Sequence, residues 1–101
     1  MKDYLKHINK DFESRVRLGI MSVLLVADYA DFSFLKETLQ LSDGNLASHL
    51  RSLEDAGYVQ VEKQFIGRKP NTRYQVTAQG TAAFRNHMDA LERLIVNNKS
   101  Q

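Results

Sequence analysis

The chain has 101 residues, 43% hydrophobic and 26% charged, the balance of an ordinary globular protein and not of a disordered one. It contains no cysteine, which excludes disulfides, thiolate metal sites and thiol catalysis together. A formal charge of +2 argues for no partner by itself, so where the charge sits matters more than its sum.

Met1 to Lys6 lack the apolar stretch of a signal peptide, and the longest apolar run, Val23 to Ala27, is far too short to cross a bilayer. A cytoplasmic protein is expected, of a single domain spanning 1–101. Residues 3–12 carry Leu5, Ile8 and Phe12 on one helical face, which predicts a short amphipathic helix. The stretch 14–28 predicts a second helix with Val16, Ile20, Val23 or Leu24, and Ala27 as its core stripe. Leu18, Met21 and Leu25 fall largely off that stripe, and a helix apolar on nearly every side is buried on nearly every side. In so small a protein one of those sides is expected to meet a second subunit.

Asp28 to Asp31 break the pattern, and Ser33 can cap a helix from Phe34 to about Gln40. Leu41-Ser42 then lead at once into the stretch 43–56, whose two ends are marked. Ser42 is an N-cap, Leu41 and Leu46 form a staple across it, and Gly57 supplies the left-handed stop. Leu46, Leu50 and Leu53 make the buried stripe, while Gly44, Ser48, Arg51, Ser52 and Asp55 face away, with Asn45 on the flank. Two helices joined by so short a turn form a helix-turn-helix, whose second helix is thin and donor-rich enough for the major groove. Glu54 and Asp55 oppose the dipole at its C-terminal end, where a DNA-facing helix reads least.

After Gly57 the period becomes that of strands: Tyr58, Val59, Val61 and Phe65, then Thr72, Tyr74 and Val76. Gly67 and Lys69 to Thr72 supply turn chemistry, so a hairpin with a long tip is expected. Lys63, Arg68, Lys69 and Arg73 fall in or beside that tip with no acid among them. An isolated cationic loop is a solvated loop; beside a recognition helix it is better explained as a contact to phosphates or the minor groove. Thr77 caps a last helix over about 78–97, with Ala82, Ala83, Phe84, Met88, Leu91, Leu94 and Ile95 as its stripe. Gly80 in its first turn implies a close backbone approach, and 97–101 are expected to fray.

These elements amount to a mainly α fold with a small β-hairpin (α+β): a winged helix-turn-helix with extra N- and C-terminal helices. Its parts are an N-terminal helix or arm (1–13), a winged-helix core (14–77) and a C-terminal dimerisation helix (78–97). Over roughly 14–90 the chain resembles the small winged-helix transcriptional regulators related to the ArsR and MarR groups. The resemblance rests on Arg17-Leu18-Gly19-Ile20-Met21, Phe32 to Lys36, Ser42 to Leu50, Leu53 to Val59, Lys63 to Tyr74 and Thr77 to Gly80. It implies sequence-specific binding of double-stranded DNA as a homodimer, on a palindromic operator. The helix 43–56 would enter the major groove and the wing 63–73 would lie on the flanking backbone or minor groove.

The candidate DNA-binding residues are therefore Ser42, Gly44, Asn45, Ser48, His49, Arg51, Ser52, Lys63, Arg68, Lys69 and Arg73. His49 sits at the edge of the leucine stripe, so a half-buried histidine bonded to backbone is as good a reading for it. The candidate dimer interface is Leu5, Ile8, Phe12, Leu18, Met21 and Leu25 with Phe84, Met88, Leu91 and Ile95. No cofactor, metal or catalytic set is expected, His7 and His87 being the one pair that packing of the termini would bring together. A small-molecule effector between the first and last helices, or none, is left open. The alternative function is a winged-helix assembly module for other proteins, which explains the modest charge but not the acid-free wing.

Overall fold

A computed structural model of the chain describes residues 5–99. Four helices surround a small antiparallel sheet: α1 (Arg15–Val26), β1 (Ala30–Asp31), α2 (Phe32–Leu39), α3 (Asp43–Asp55), β2 (Val59–Ile66), β3 (Lys69–Val76) and α4 (Ala78–Lys99). The sheet order is β1-β3-β2. This is the winged-helix architecture the element pattern implies.

The expected helix over 3–12 is instead two single turns of 3-10 helix, Leu5–His7 and Lys10–Phe12, with residues 3 and 4 outside the described part. Asn9 separates them. Its backbone is extended and its side chain accepts the Asp11 N–H at 2.9 Å, a local bond that competes with helix continuation. In α1, Ser14 caps the free N–H groups of Val16 and Arg17. The buried residues of this helix are Ile20, Met21 and Leu24, so Met21 belongs to the core stripe and not outside it.

The helix α2 begins two residues earlier than expected because Asp31, not Ser33, is its cap. Asp31 pairs with Arg73 in the sheet, which holds its backbone extended, and its carboxylate accepts the Phe34 N–H at 2.8 Å. The helix ends at Gln40, which takes the left-handed conformation (φ 54°) while the Leu41 N–H bonds back to the Lys36 carbonyl. Ser42 then accepts the Asn45 N–H at 3.2 Å and starts α3 as expected. At its far end Gly57 is left-handed (φ 84°). The Tyr58 N–H reaches the Leu53 carbonyl and the Gly57 N–H the Glu54 carbonyl, the paired bonds of a Schellman stop. Leu46, Leu50 and Leu53 are buried.

The hairpin departs from the expected long tip. Ile66 pairs with Lys69, so only Gly67 and Arg68 form the turn, with Gly67 at φ 65° supplying the positive angle that tight hairpin turns demand. Pro70 lies inside β3 opposite Phe65. In a two-residue hairpin the closing pair exchanges hydrogen bonds and pairs alternate from there. Phe65–Pro70 is therefore a non-bonded pair, and the missing proline N–H costs the ladder nothing.

Thr77 caps α4, its hydroxyl accepting the Gly80 N–H at 2.9 Å while donating to the Gly57 carbonyl at 2.7 Å. The expected close approach at Gly80 is there: a Cβ at this position would run into the Tyr58 carbonyl. The helix continues to Lys99 instead of fraying from Asn97, and residues 100 and 101 lie outside the described part. The core gathers Phe12, Ile20, Leu24, Leu35, the three leucines of α3, Val59 and Phe84. The molecule is elongated, measuring 59 × 25 × 21 Å. Its accessible surface of 7077 Å² exceeds the roughly 5,800 Å² expected of a folded monomer of this size.

Candidate nucleic-acid interface

On α3 the buried leucines fix which residues face outward. Ser42, Gly44, Asn45, Ser48 and Arg51 are exposed, in one run from the N-terminal end of the helix. Here the free N–H groups of the first turn favour anions. Ser52 is half-buried and its hydroxyl is spent on the Ser48 carbonyl at 3.2 Å. Asp43, the one acid in the first turn, is paired with Lys36 of α2 at 2.8 Å. That pair offsets a charge that would otherwise repel phosphate.

His49 is half-buried and held by a side chain, not by backbone. Arg17 of α1 donates from Nε to His49 Nδ1 at 3.1 Å and turns its other arm to Asp11. Burial, and then the Arg17 charge, push the His49 pKa below its usual value. The imidazole is thereby kept neutral, with Nδ1 as acceptor and Nε2 as donor.

The hairpin stands beside this helix. A groove of about 410 Å³ runs between them, lined by Ala47, Leu50, Arg51, Glu54 and Asp55 of α3 on one side and Val61, Lys63 and Tyr74 on the other, the two acids at the C-terminal end of the helix. Burial, aided by Glu54, raises the Tyr74 pKa, so the phenol stays protonated. Lys63, Arg68 and Lys69 are exposed. Arg73 is not available in the same way. It lies on the opposite face of the hairpin, where it bonds Glu62 (3.0 Å from Nε, 2.9 Å from Nη2) and covers the Tyr29 ring at 4.2 Å. Its charge is paired within the chain. Gln60 with Gln75 and Gln64 with Asn71 complete a polar ladder along that outer face.

The apolar candidates divide as well. Phe12, Met21 and Phe84 are buried in the chain's own core, a correction to their reading as interface residues, since a side chain without exposed surface has none to offer a partner. Ile8, Leu18, Leu25 and Leu91 are half-buried; Leu5, Met88 (47%) and Ile95 (64%) are exposed. His87 turns inward between Phe12 and Phe84, and its Nδ1 accepts the Asn9 N–H at 3.0 Å. Burial lowers its pKa against the opposing charge of Glu13. Among the described residues no group of three or more histidine or acidic side chains is placed to hold a metal, and no helix is long and apolar enough to cross a membrane.

Two features of the surface are not legible in the local sequence pattern. Phe65 and Ile66 are exposed at the wing tip, where alternation alone reads Phe65 as an inward residue. The Arg17–His49 bond joins residues 32 positions apart and leaves no local signal.

A family model described as a winged helix DNA-binding domain matches residues 16–95. An uncharacterized protein of Methanocaldococcus jannaschii is 40% identical over 79 residues, 78% of this chain and 86% of that protein. The structure of a transcriptional regulator homologue from Pyrococcus horikoshii OT3 superposes with a TM-score of 0.83 at 34% identity, covering 96% of this chain and 97% of that one. A MarR family transcriptional regulator from Streptomyces coelicolor, solved in complex with DNA, shares the fold at a TM-score of 0.67 and 16% identity, over 95% of this chain and 67% of that one.

Proposed function

The chain belongs to the winged helix DNA-binding domain family, and from that premise we propose that it is a homodimeric transcriptional regulator binding a specific, palindromic double-stranded DNA operator. In this reading the N-terminal half of α3 lies in the major groove and reads bases through Asn45, Ser48 and Arg51. Ser42 and the first-turn N–H groups meet phosphate, and Lys63, Arg68 and Lys69 hold the flanking backbone or minor groove. The single observation that carries it is the facing of an outward polar helix and a cation-bearing hairpin across one groove, with Arg51 and Lys63 on its two walls. The solved regulators of the same fold, one of them on DNA, support it.

Dimerisation is supported by the surplus of surface and by the exposed apolar residues of α4. Leu5, Met88 and Ile95 are exposed and Leu18, Leu25 and Leu91 half-buried, which suits a seam between the first and last helices of two copies. The division into an arm (1–13), a core (14–77) and a dimerisation helix, and a cytoplasmic location, go with that reading.

Selection from a random duplex pool at near-physiological salt tests it. A palindromic consensus bound at least 1,000-fold more tightly than scrambled duplex, roughly the lower bound for specific binding, is the expected result. Arg68→Ala and Lys69→Ala are expected to weaken binding to every sequence and reduce the salt slope by about 1 each. Ser48→Ala and Arg51→Ala are expected to change the preferred base, at about 1–3 kcal/mol per contact. Weak binding that collapses with salt and selects no consensus would overturn the reading in favour of a protein assembly module.

A further inference from the structure

The hairpin face that packs toward α3 runs on beyond the body of the protein. Val59 pairs with Val76, Val61 with Tyr74, Lys63 with Thr72 and Phe65 with Pro70. Side chains alternate along each strand and cross-strand partners share a side, so these residues line a single face. Near the body that face is covered: Val59 is buried, and Val61, Lys63 and Tyr74 line the groove opposite α3. Further out, Phe65 is 72% exposed with the exposed Pro70 beside it. The ring adds nothing to the core, yet it points to the same side as the groove, shares its face with Lys63 and lies next to the turn that carries Arg68. An apolar ring with a lysine on its own face and an arginine at the adjoining turn matches a partner with anions outside and apolar surface within, which is the chemistry of base pairs behind phosphates.

We propose that Phe65, braced by Pro70, is an apolar wedge that enters the minor groove and partly unstacks one base step. The protein then kinks its site and favours a flexible pyrimidine–purine step (TA or CA/TG) beneath each wing. This rests on the DNA-binding reading above. Ile66 is 61% exposed but lies on the opposite face of the strand, so it serves as a control of comparable exposure and different direction. Substitutions at two such exposed tip positions leave the core untouched.

The test uses the duplex selected by the full-length protein, with 2-aminopurine placed at successive steps under the wing and end-to-end energy transfer reporting the bend. Wild-type protein is expected to raise 2-aminopurine fluorescence at one step and to shorten the end-to-end distance. Phe65→Ser is expected to lose both signals and about tenfold in affinity for the selected site, with binding to scrambled duplex unchanged. Ile66→Ser is expected to keep both signals. Replacing the flexible step by a stiff A-tract should penalise wild type and spare Phe65→Ser. A selected duplex that stays straight and stacked, or a Phe65→Ser protein that binds and bends like wild type, overturns the wedge while leaving DNA binding standing. Absence of binding to any duplex overturns both. Phe65-dependent sedimentation with phosphatidylglycerol vesicles, or self-association lost in Phe65→Ser, would assign the ring to a lipid surface or a second copy and overturn the wedge.

Discussion

Gly80 offers a substitution whose sign depends on the tertiary structure. By helix propensity alone, alanine at this first-turn position of α4 stabilises by about 1 kcal/mol. The packing opposes it. A Cβ would collide with the Tyr58 carbonyl oxygen and lie 2.9 Å from its carbon and its Cα, all of them backbone atoms. That carbonyl accepts the Thr77 N–H at 3.0 Å, and Gly80 itself donates to the Thr77 hydroxyl. Moving either partner aside therefore stretches the cap of α4. Overpacking costs about 1–3 kcal/mol and each weakened hydrogen bond about 1 kcal/mol. Set against the propensity gain, Gly80→Ala is expected to lose about 2 kcal/mol, a fall of roughly 10 °C in Tm. Gly44→Ala is the matched control, because nothing lies within 4 Å of a Cβ there; it should gain about 0.5–1 kcal/mol. Thermal and urea unfolding at one fixed protein concentration measures both, since self-association would link Tm to concentration. A Gly80→Ala protein as stable as wild type would refute the close-approach argument.

Buried His87 has a folded-state pKa below its unfolded value of about 6.5. The stability it contributes is whole above that value and is lost as pH falls toward the lowered one. The urea midpoint is expected to drop between pH 7 and pH 5, and His87→Gln, which keeps an acceptor for the Asn9 N–H, should flatten the drop; His49 adds a slope of the same sign. Arg17→Met removes one of the two influences that lower the His49 pKa, so an NMR titration should show it rising while burial still holds it below the usual value. Gln40 occupies a left-handed position that costs a non-glycine residue about 1–2 kcal/mol. Gln40→Gly is expected to gain about 0.5 kcal/mol after the entropy glycine adds to the unfolded chain, read as a higher urea midpoint.

Much of the fold is legible because its signals are short-range. Ser42, Gly57 and Thr77 each act within a few residues of their own position, and each does what its side chain or φ preference predicts. The start of α2 resisted reading because Asp31 and Ser33 are both competent caps. Pairing of Asp31 with Arg73, 42 positions away, decides between them. The site is legible to the same degree. The outward run Gly44 to Arg51 follows from the leucine stripe, and exposure of Lys63, Arg68 and Lys69 follows from charge. The pairing of Arg73 with Glu62 needs the strand register, which the misplaced turn had hidden.

The sequence by itself determined the order of elements, the caps at Ser42, Gly57 and Thr77 and the concentration of cations in the hairpin, because hydrogen bonds and periodicity of that kind act over one or two turns of chain. The tertiary structure alone decided how the apolar and charged residues were spent. Met21 is apolar on a helix apolar nearly all round, so only the arrival of its neighbours made it core. His87 is a polar residue made internal by Phe12, Phe84 and the Asn9 N–H. Phe65 keeps the inward phase of its strand yet stands in solvent, because the body ends before the strand does. Burial is a contest between surfaces distant in the chain, and its outcome is written only where they meet.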